Sequence, residues 1–194
     1  WINTTTTDQF ISTASEDLKY VGSRFLDYDE GDGILYNYEY SGGQFLDRGD
    51  PIDIGAPVGN QSGGIYGQQV INNLGNTVAV PIRDLVVPNP YTYGVNIRVF
   101  SYDESTNLWT QKGNDISTNS GNSTTMESLS ISPDGSKILA VFSVNEYNSQ
   151  SQKNAFIAEY EFQSNDWIMS NFVPIYSGFD IQNTILWSLQ KNKT

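Results

Sequence analysis

Apolar residues in this chain come in short alternating runs rather than in long stretches. In Arg98-Val99-Phe100-Ser101-Tyr102-Asp103 one face carries Val99 and Ser101, and the other carries Phe100 and Tyr102. A period of two is the mark of a strand that buries one side. Runs of this kind are divided by Gly, Asn, Asp and Pro, as in Pro133-Asp134-Gly135 and Leu74-Gly75-Asn76, which read as tight hairpin turns. In the middle of the chain the pattern predicts strands near 68–72, 77–82, 95–103 and 107–112.

The runs repeat. A strand with alternate aromatics leads through a polar turn to another aromatic and then a glycine. It occurs as Tyr38-Glu39-Tyr40, Phe45 and Gly49, and again as Phe100-Ser101-Tyr102, Trp109 and Gly113. A third copy, Tyr160-Glu161-Phe162 and Trp167, lacks the glycine. Tyr40, Tyr102 and Phe162 stand 62 and 60 residues apart. A second marker, a short strand turning into a more apolar one, runs through Leu129–Val141 and Val70–Val80, with a degenerate copy in Ile11–Gly22. It aligns Lys19, Thr77 and Lys137 at spacings of 58 and 60. Two markers with one period define units of about 60 residues with four strands each. The expected units are 8–67, 68–126 and 127–184, with the start of a further unit at 185–194.

Four short antiparallel strands per repeat make the blade of a β-propeller, in which stacking buries both faces of each small sheet. The expected fold is therefore all-β, with about three blades and incomplete ends. The chain opens on Trp1 instead of Met and stops at the turn of a fourth unit. We therefore expect a segment of a longer chain, or copies that together complete a ring or array. Blade faces are expected to be held by Phe45, Trp109 and Trp167 on outer strands and by Val78, Ile138 and Leu139 on inner ones.

Composition supports this class and removes several chemistries. Aromatic residues make up 13% of the 194 residues, a share that suits pleated, half-buried strands. The formal charge of −12 opposes binding to nucleic acid or to an anionic membrane. With no Cys and no His, disulfides, thiolate or imidazole catalysis and the usual zinc sites are excluded. No apolar run approaches the roughly 18 residues of a helical membrane span.

Arg98-Val99-Phe100-Ser101-Tyr102-Asp103, Trp109-Thr110-Gln111-Lys112-Gly113-Asn114-Asp115-Ile116 and Leu129–Val141 together resemble the propeller repeats related to integrin FG-GAP modules. Such repeats occur in large extracellular proteins of protists, algae, bacteria and some large viruses. Ser132-Pro133-Asp134-Gly135 also resembles the turns of TolB-type and WD40-type propellers. The resemblance covers nearly the whole chain and implies fold more than activity. One departure is that Gly55-Ala56-Pro57 follows an outer strand, whereas the family's G-A-P closes the second strand, where Val80-Pro81 stands here.

The candidate chemistry is sparse. Asp27, Asp29 and Asp32 sit on the glycine-bearing turn Asp27–Gly33, where three carboxylates on a tight loop suit a hard cation such as calcium. The turn is similar to FG-GAP calcium loops, with the third Asp displaced by one and no closing acid downstream, and the plainer reading is a solvated acidic loop. Asn3, Asn60, Asn122 and Asn192 each begin an N-x-Ser/Thr sequon, the acceptor for N-glycosylation in a secreted eukaryotic protein. Tyr91 and Tyr93 lie in a variable segment where rings could stack on a sugar. A glycoside hydrolase needs two facing carboxylates, and no acid pair recurs in the repeats. The function expected is non-enzymatic: a structural or adhesive module on a cell, extracellular assembly or virus particle surface, whose rim loops contact protein or glycan. Partners would also include other copies or further repeats of the same chain. A lectin-like propeller is the alternative, with a carboxylate-dependent glycoside hydrolase behind it.

Overall fold

The computed structural model describes residues 10–26, 33–54, 67–85, 93–117, 123–145 and 153–175. Among these the chain is all strand and turn, arranged as three antiparallel sheets in chain order. The first comprises β1 (Phe10–Ala14), β2 (Tyr20–Leu26), β3 (Gly33–Ser41), β4 (Gln44–Asp47) and β5 (Ile52–Asp53). The second comprises β6 (Val70–Ile71), β7 (Thr77–Leu85), β8 (Tyr93–Asp103), β9 (Leu108–Gln111) and β10 (Ile116–Ser117). The third comprises β11 (Ser123–Ile131), β12 (Lys137–Asn145), β13 (Lys153–Gln163) and β14 (Asp166–Ile175). Each sheet is a meander of successive neighbours, which is the architecture of a propeller blade.

The middle blade buries both of its sides, as a sandwiched sheet must. Val78, Val80, Ile82 and Phe100 face the first blade and join Tyr20, Leu35, Ile52 and Ile54 in one core. Ala79, Ile97, Val99 and Ile116 face the third blade and join Ile138, Ala140, Phe142, Ala158, Tyr160 and Trp167 in another. The middle blade is thus apolar on both faces, and β7 accordingly runs apolar without alternation from Val78 to Ile82.

The outer strand departs from the four-strand expectation in two blades. At Gly49 and Gly113 the chain turns through positive φ. The strand breaks there and resumes on the same partner, so β4 and β5 both pair with β3, and β9 and β10 both pair with β8. In the third blade, where the glycine is missing, β14 runs unbroken past a register shift opposite Glu159 and Tyr160.

The inner hairpin corrects the alignment by one residue. Ser15 N–H donates to Tyr20 O, Asn72 N–H to Thr77 O and Ser132 N–H to Lys137 O. Tyr20, not Lys19, is therefore the counterpart of Thr77 and Lys137. Leu18 consequently occupies the position of Gly75 and Gly135, and its φ of 58° matches their 64° and 70°. A leucine there hid the register, because glycine is the residue that normally marks such a turn.

Candidate functional site

The best-built chemistry in the molecule lies where one blade meets the next, and it occurs twice. Arg48 follows β4, and its side chain is almost wholly buried. Its Nε donates to Gly75 O at 2.8 Å, Nη1 to Glu39 at 2.8 Å and Nη2 to Glu104 at 3.2 Å. The guanidinium lies between the rings of Tyr20 and Tyr102, 4.8 and 4.3 Å from their centroids. In return Trp109 Nε1 donates to Arg48 O at 2.7 Å. A cation from the first blade thus reaches the hairpin turn and aromatic pair of the second, and the second blade's indole closes the contact.

Lys112 repeats this arrangement one blade later. Its Nζ donates to Gly135 O at 2.8 Å and lies 4.8 Å from the Phe162 ring centroid, while Trp167 Nε1 donates to Lys112 O at 2.8 Å. Burial lowers the Lys112 pKa, with partial compensation from the charge of Asp134. The glycine after each cation lets the rings in closely. A Cβ on Gly49 would stand 2.8 Å from Trp109, and one on Gly113 would stand 3.0 Å from Trp167. These paired contacts, here called latches, join blade to blade by hydrogen bonds and ring–cation attraction on top of apolar burial. A further tie at the first junction is Arg98, which forks onto Asp115 at 2.8 and 2.6 Å and donates to Ile54 O at 2.9 Å.

The first blade has the receiving half of a latch on the face that no described strand covers. Tyr40 and Phe45 face each other at 5.1 Å and 55°, against 5.1 Å and 45° for Tyr102 and Trp109 and 5.2 Å and 56° for Phe162 and Trp167. Leu18 supplies the turn in place of Gly75 or Gly135. Tyr36 and Tyr38 precede Tyr40 at alternate positions of β3, opposite to Leu35 and on the side away from the second blade. Leu18, Tyr40 and Phe45 are 67%, 47% and 38% exposed. Phe45 is therefore not a core residue as expected, because no described sheet covers that side. Leu139 is half-buried, whereas Trp167, Val78 and Ile138 are core residues and Trp109 packs partly buried against it.

The residues singled out from sequence fall elsewhere. Asp27, Asp29, Asp32, Asn3, Asn60, Asn122, Asn192 and Tyr91 lie outside the described residues, and Tyr93 begins β8 without a described side chain. Among the described residues, no group of three or more acidic side chains comes together as a metal site. The latches were missed because Arg48 and Lys112 belong to no named motif. The available signal was positional, since each stands immediately before the glycine of the aligned outer strand.

Comparison with known proteins adds little beyond shape. No family model and no curated protein matches the chain. Among solved structures, one of TolB from Agrobacterium tumefaciens is 9% identical with a TM-score of 0.42, covering 88% of this chain and 51% of that one. The tricorn protease is 8% identical with a TM-score of 0.47, covering 90% of this chain and 18% of that one. The chain therefore spans about half the length of the first and under a fifth of the second. The β-propeller assignment rests on the blade topology itself.

Proposed function

We propose that this protein is a non-catalytic structural or adhesive β-propeller module that acts on a cell, extracellular assembly or particle surface through contact with protein or glycan. The observation that carries this reading is the row of half-buried Tyr36 and Tyr38 with exposed Tyr40 and Phe45, on the face of the first blade that no described strand covers, the other face being locked in place. Aromatic side chains give large contact area with little rotamer freedom to lose, and tyrosine adds a hydroxyl for polar pairing. Fixed by the Arg48 latch behind it, the row is presented already organised, which lowers the ordering cost of binding. The resemblance to FG-GAP repeats agrees with an extracellular setting, and so do the sequons.

A lectin-like alternative draws on the same row, because tyrosine rings spaced along a strand can stack on successive sugars. The test is retention of the chain on a glycan array and on fixed cell or particle surfaces, with Tyr36→Ala/Tyr38→Ala beside the parent. We expect binding to at least one surface and at least a tenfold loss in the double variant. Parent and variant binding equally well would sink the reading.

A further inference from the structure

We propose that Leu18, Tyr40 and Phe45 form a third latch socket, which takes a lysine or arginine side chain presented on an extended segment of a partner. The inference rests on the contact-module reading above and names the chemistry that this face selects.

The two internal junctions define what such a socket binds. In both, a cation one residue before a glycine reaches across to a turn carbonyl, Gly75 O or Gly135 O. In both it lies against the first ring of a preformed pair, Tyr102 with Trp109 or Phe162 with Trp167. Structurally, Leu18 is the counterpart of Gly75, Tyr40 of Tyr102 and Phe45 of Trp109. Their ring spacing of 5.1 Å is already that of the filled sockets. The neighbourhood suits a cation: Asp17, after Glu16 in the turn, stands at the position that Asp134 holds beside Lys112, Asp47 pairs with Tyr38 in register, and the chain carries a net charge of −12.

Two differences set its character. Phe45 has no indole N–H, so the socket cannot return the hydrogen bond that Trp109 and Trp167 give to the incoming backbone. Leu18 also carries a side chain where Gly75 has none, on the side from which a partner comes. A Cβ at Gly75 would stand 2.2 Å from the ring of Tyr20, which belongs to the blade that supplies the cation, so a partner must approach the third socket less closely. The third socket is thus a weaker, exchangeable version of the two that hold the molecule together. This suits a partner that comes and goes. The third blade of a second copy does not suit it as well, because the corresponding stretch of β14, Met169-Ser170-Asn171, carries no cation.

The probe is a synthetic peptide with the sequence of residues 44–54, Gln-Phe-Leu-Asp-Arg-Gly-Asp-Pro-Ile-Asp-Ile, which carries the chain's own latch arginine. It is titrated into the 194-residue chain and followed by backbone amide shifts. We expect saturable binding at millimolar to high micromolar concentration, with shifts centred on Leu18, Tyr40 and Phe45. A peptide with methionine in place of the arginine should bind at least tenfold more weakly. Phe45→Trp, which restores the missing donor, should tighten the arginine peptide about fivefold, one neutral hydrogen bond's worth. Tyr40→Ala, at an exposed position, should abolish the shifts while leaving the rest of the spectrum unchanged. Equal binding of the methionine peptide, or shifts centred away from this face, would overturn the proposal. So would no binding of the arginine peptide while the parent is still retained on a surface in a Tyr36- and Tyr38-dependent way. In that last outcome the module reading stands and only the socket is lost.

Discussion

At the scale of single residues, the inner hairpin turns show how a neighbour decides what one position tolerates. Gly75 and Gly135 serve two needs at once, a positive φ and space for Tyr20 or Thr77 of the preceding blade. Leu18 meets the first need only under strain, since a left-handed backbone costs a non-glycine residue about 1–2 kcal/mol. It escapes the second because no described blade stands before it. Leu18→Gly should therefore stabilise the chain by about 0.5–1 kcal/mol, after the extra freedom of glycine in the unfolded chain is set against the relieved strain. A higher urea midpoint at unchanged slope would show this. A lower midpoint would mean that the exposed leucine makes contacts worth more than its backbone strain.

At the scale of the element, the turn Ser132–Lys137 is tied by backbone hydrogen bonds, by Ser132 Oγ, which accepts from Ser136 N and Lys137 N, and by one carboxylate. Asp134 Oδ1 accepts from Ser132 Oγ at 2.6 Å, from Ser136 N at 3.0 Å and from Ser136 Oγ at 2.8 Å. These donors lower its pKa from 3.8 to about 2, the Ser132 hydroxyl having the largest effect. A depressed carboxylate stabilises the fold fully above its unfolded pKa and stops doing so as the pH falls through its folded one. The stability gap between the parent and Asp134→Ala should accordingly be constant above about pH 4 and close between pH 4 and pH 2, as measured by urea unfolding at pH 6, 4, 3 and 2. A gap unchanged at pH 2 would show that the turn does not depend on the charge. Elements of this kind were legible beforehand, because alternation and turn residues are local. The strands expected at 77–82 and 95–103 are found as β7 and β8, each longer by a few residues. The break in the outer strand was less legible. Gly49-Asp50-Pro51 marks a kink, but only pairing of both halves with β3 shows that the strand resumes.

At the scale of the whole molecule, stability passes from blade to blade through nearest neighbours, as in any stacked repeat. The repeat and the propeller class could be read from sequence because each unit carries its own pattern. The latches could not, since they join residues 23 to 61 positions apart whose importance appears only once the blades stand side by side. The sequence also directed attention to loops, namely the acidic turn and the sequons. The described chemistry instead lies at the blade junctions and on the face of the first blade that no described strand covers. Arg48 is the sharpest test of that arrangement. Arg48→Met keeps the apolar stem between Tyr20 and Tyr102 but removes the guanidinium, leaving Gly75 O without its side-chain donor and Glu39 with Lys19 alone at 3.1 Å. Breaking a fully buried ion pair costs about 3–5 kcal/mol. Glu39 is partly and Glu104 mostly in solvent, so the loss here should be nearer 2–3 kcal/mol after screening. Because the damage sits at the first junction, it should fall unevenly on the molecule. Amide exchange should speed up in β1–β4 and in β6–β9, while β12 and β13 keep most of their protection. Arg48→Lys should recover part of the stability, since an ammonium can reach one acceptor but cannot span the turn carbonyl and both carboxylates. Uniform loss of protection across all three blades would show instead that the blades unfold as one unit and that the junctions carry no separate stability.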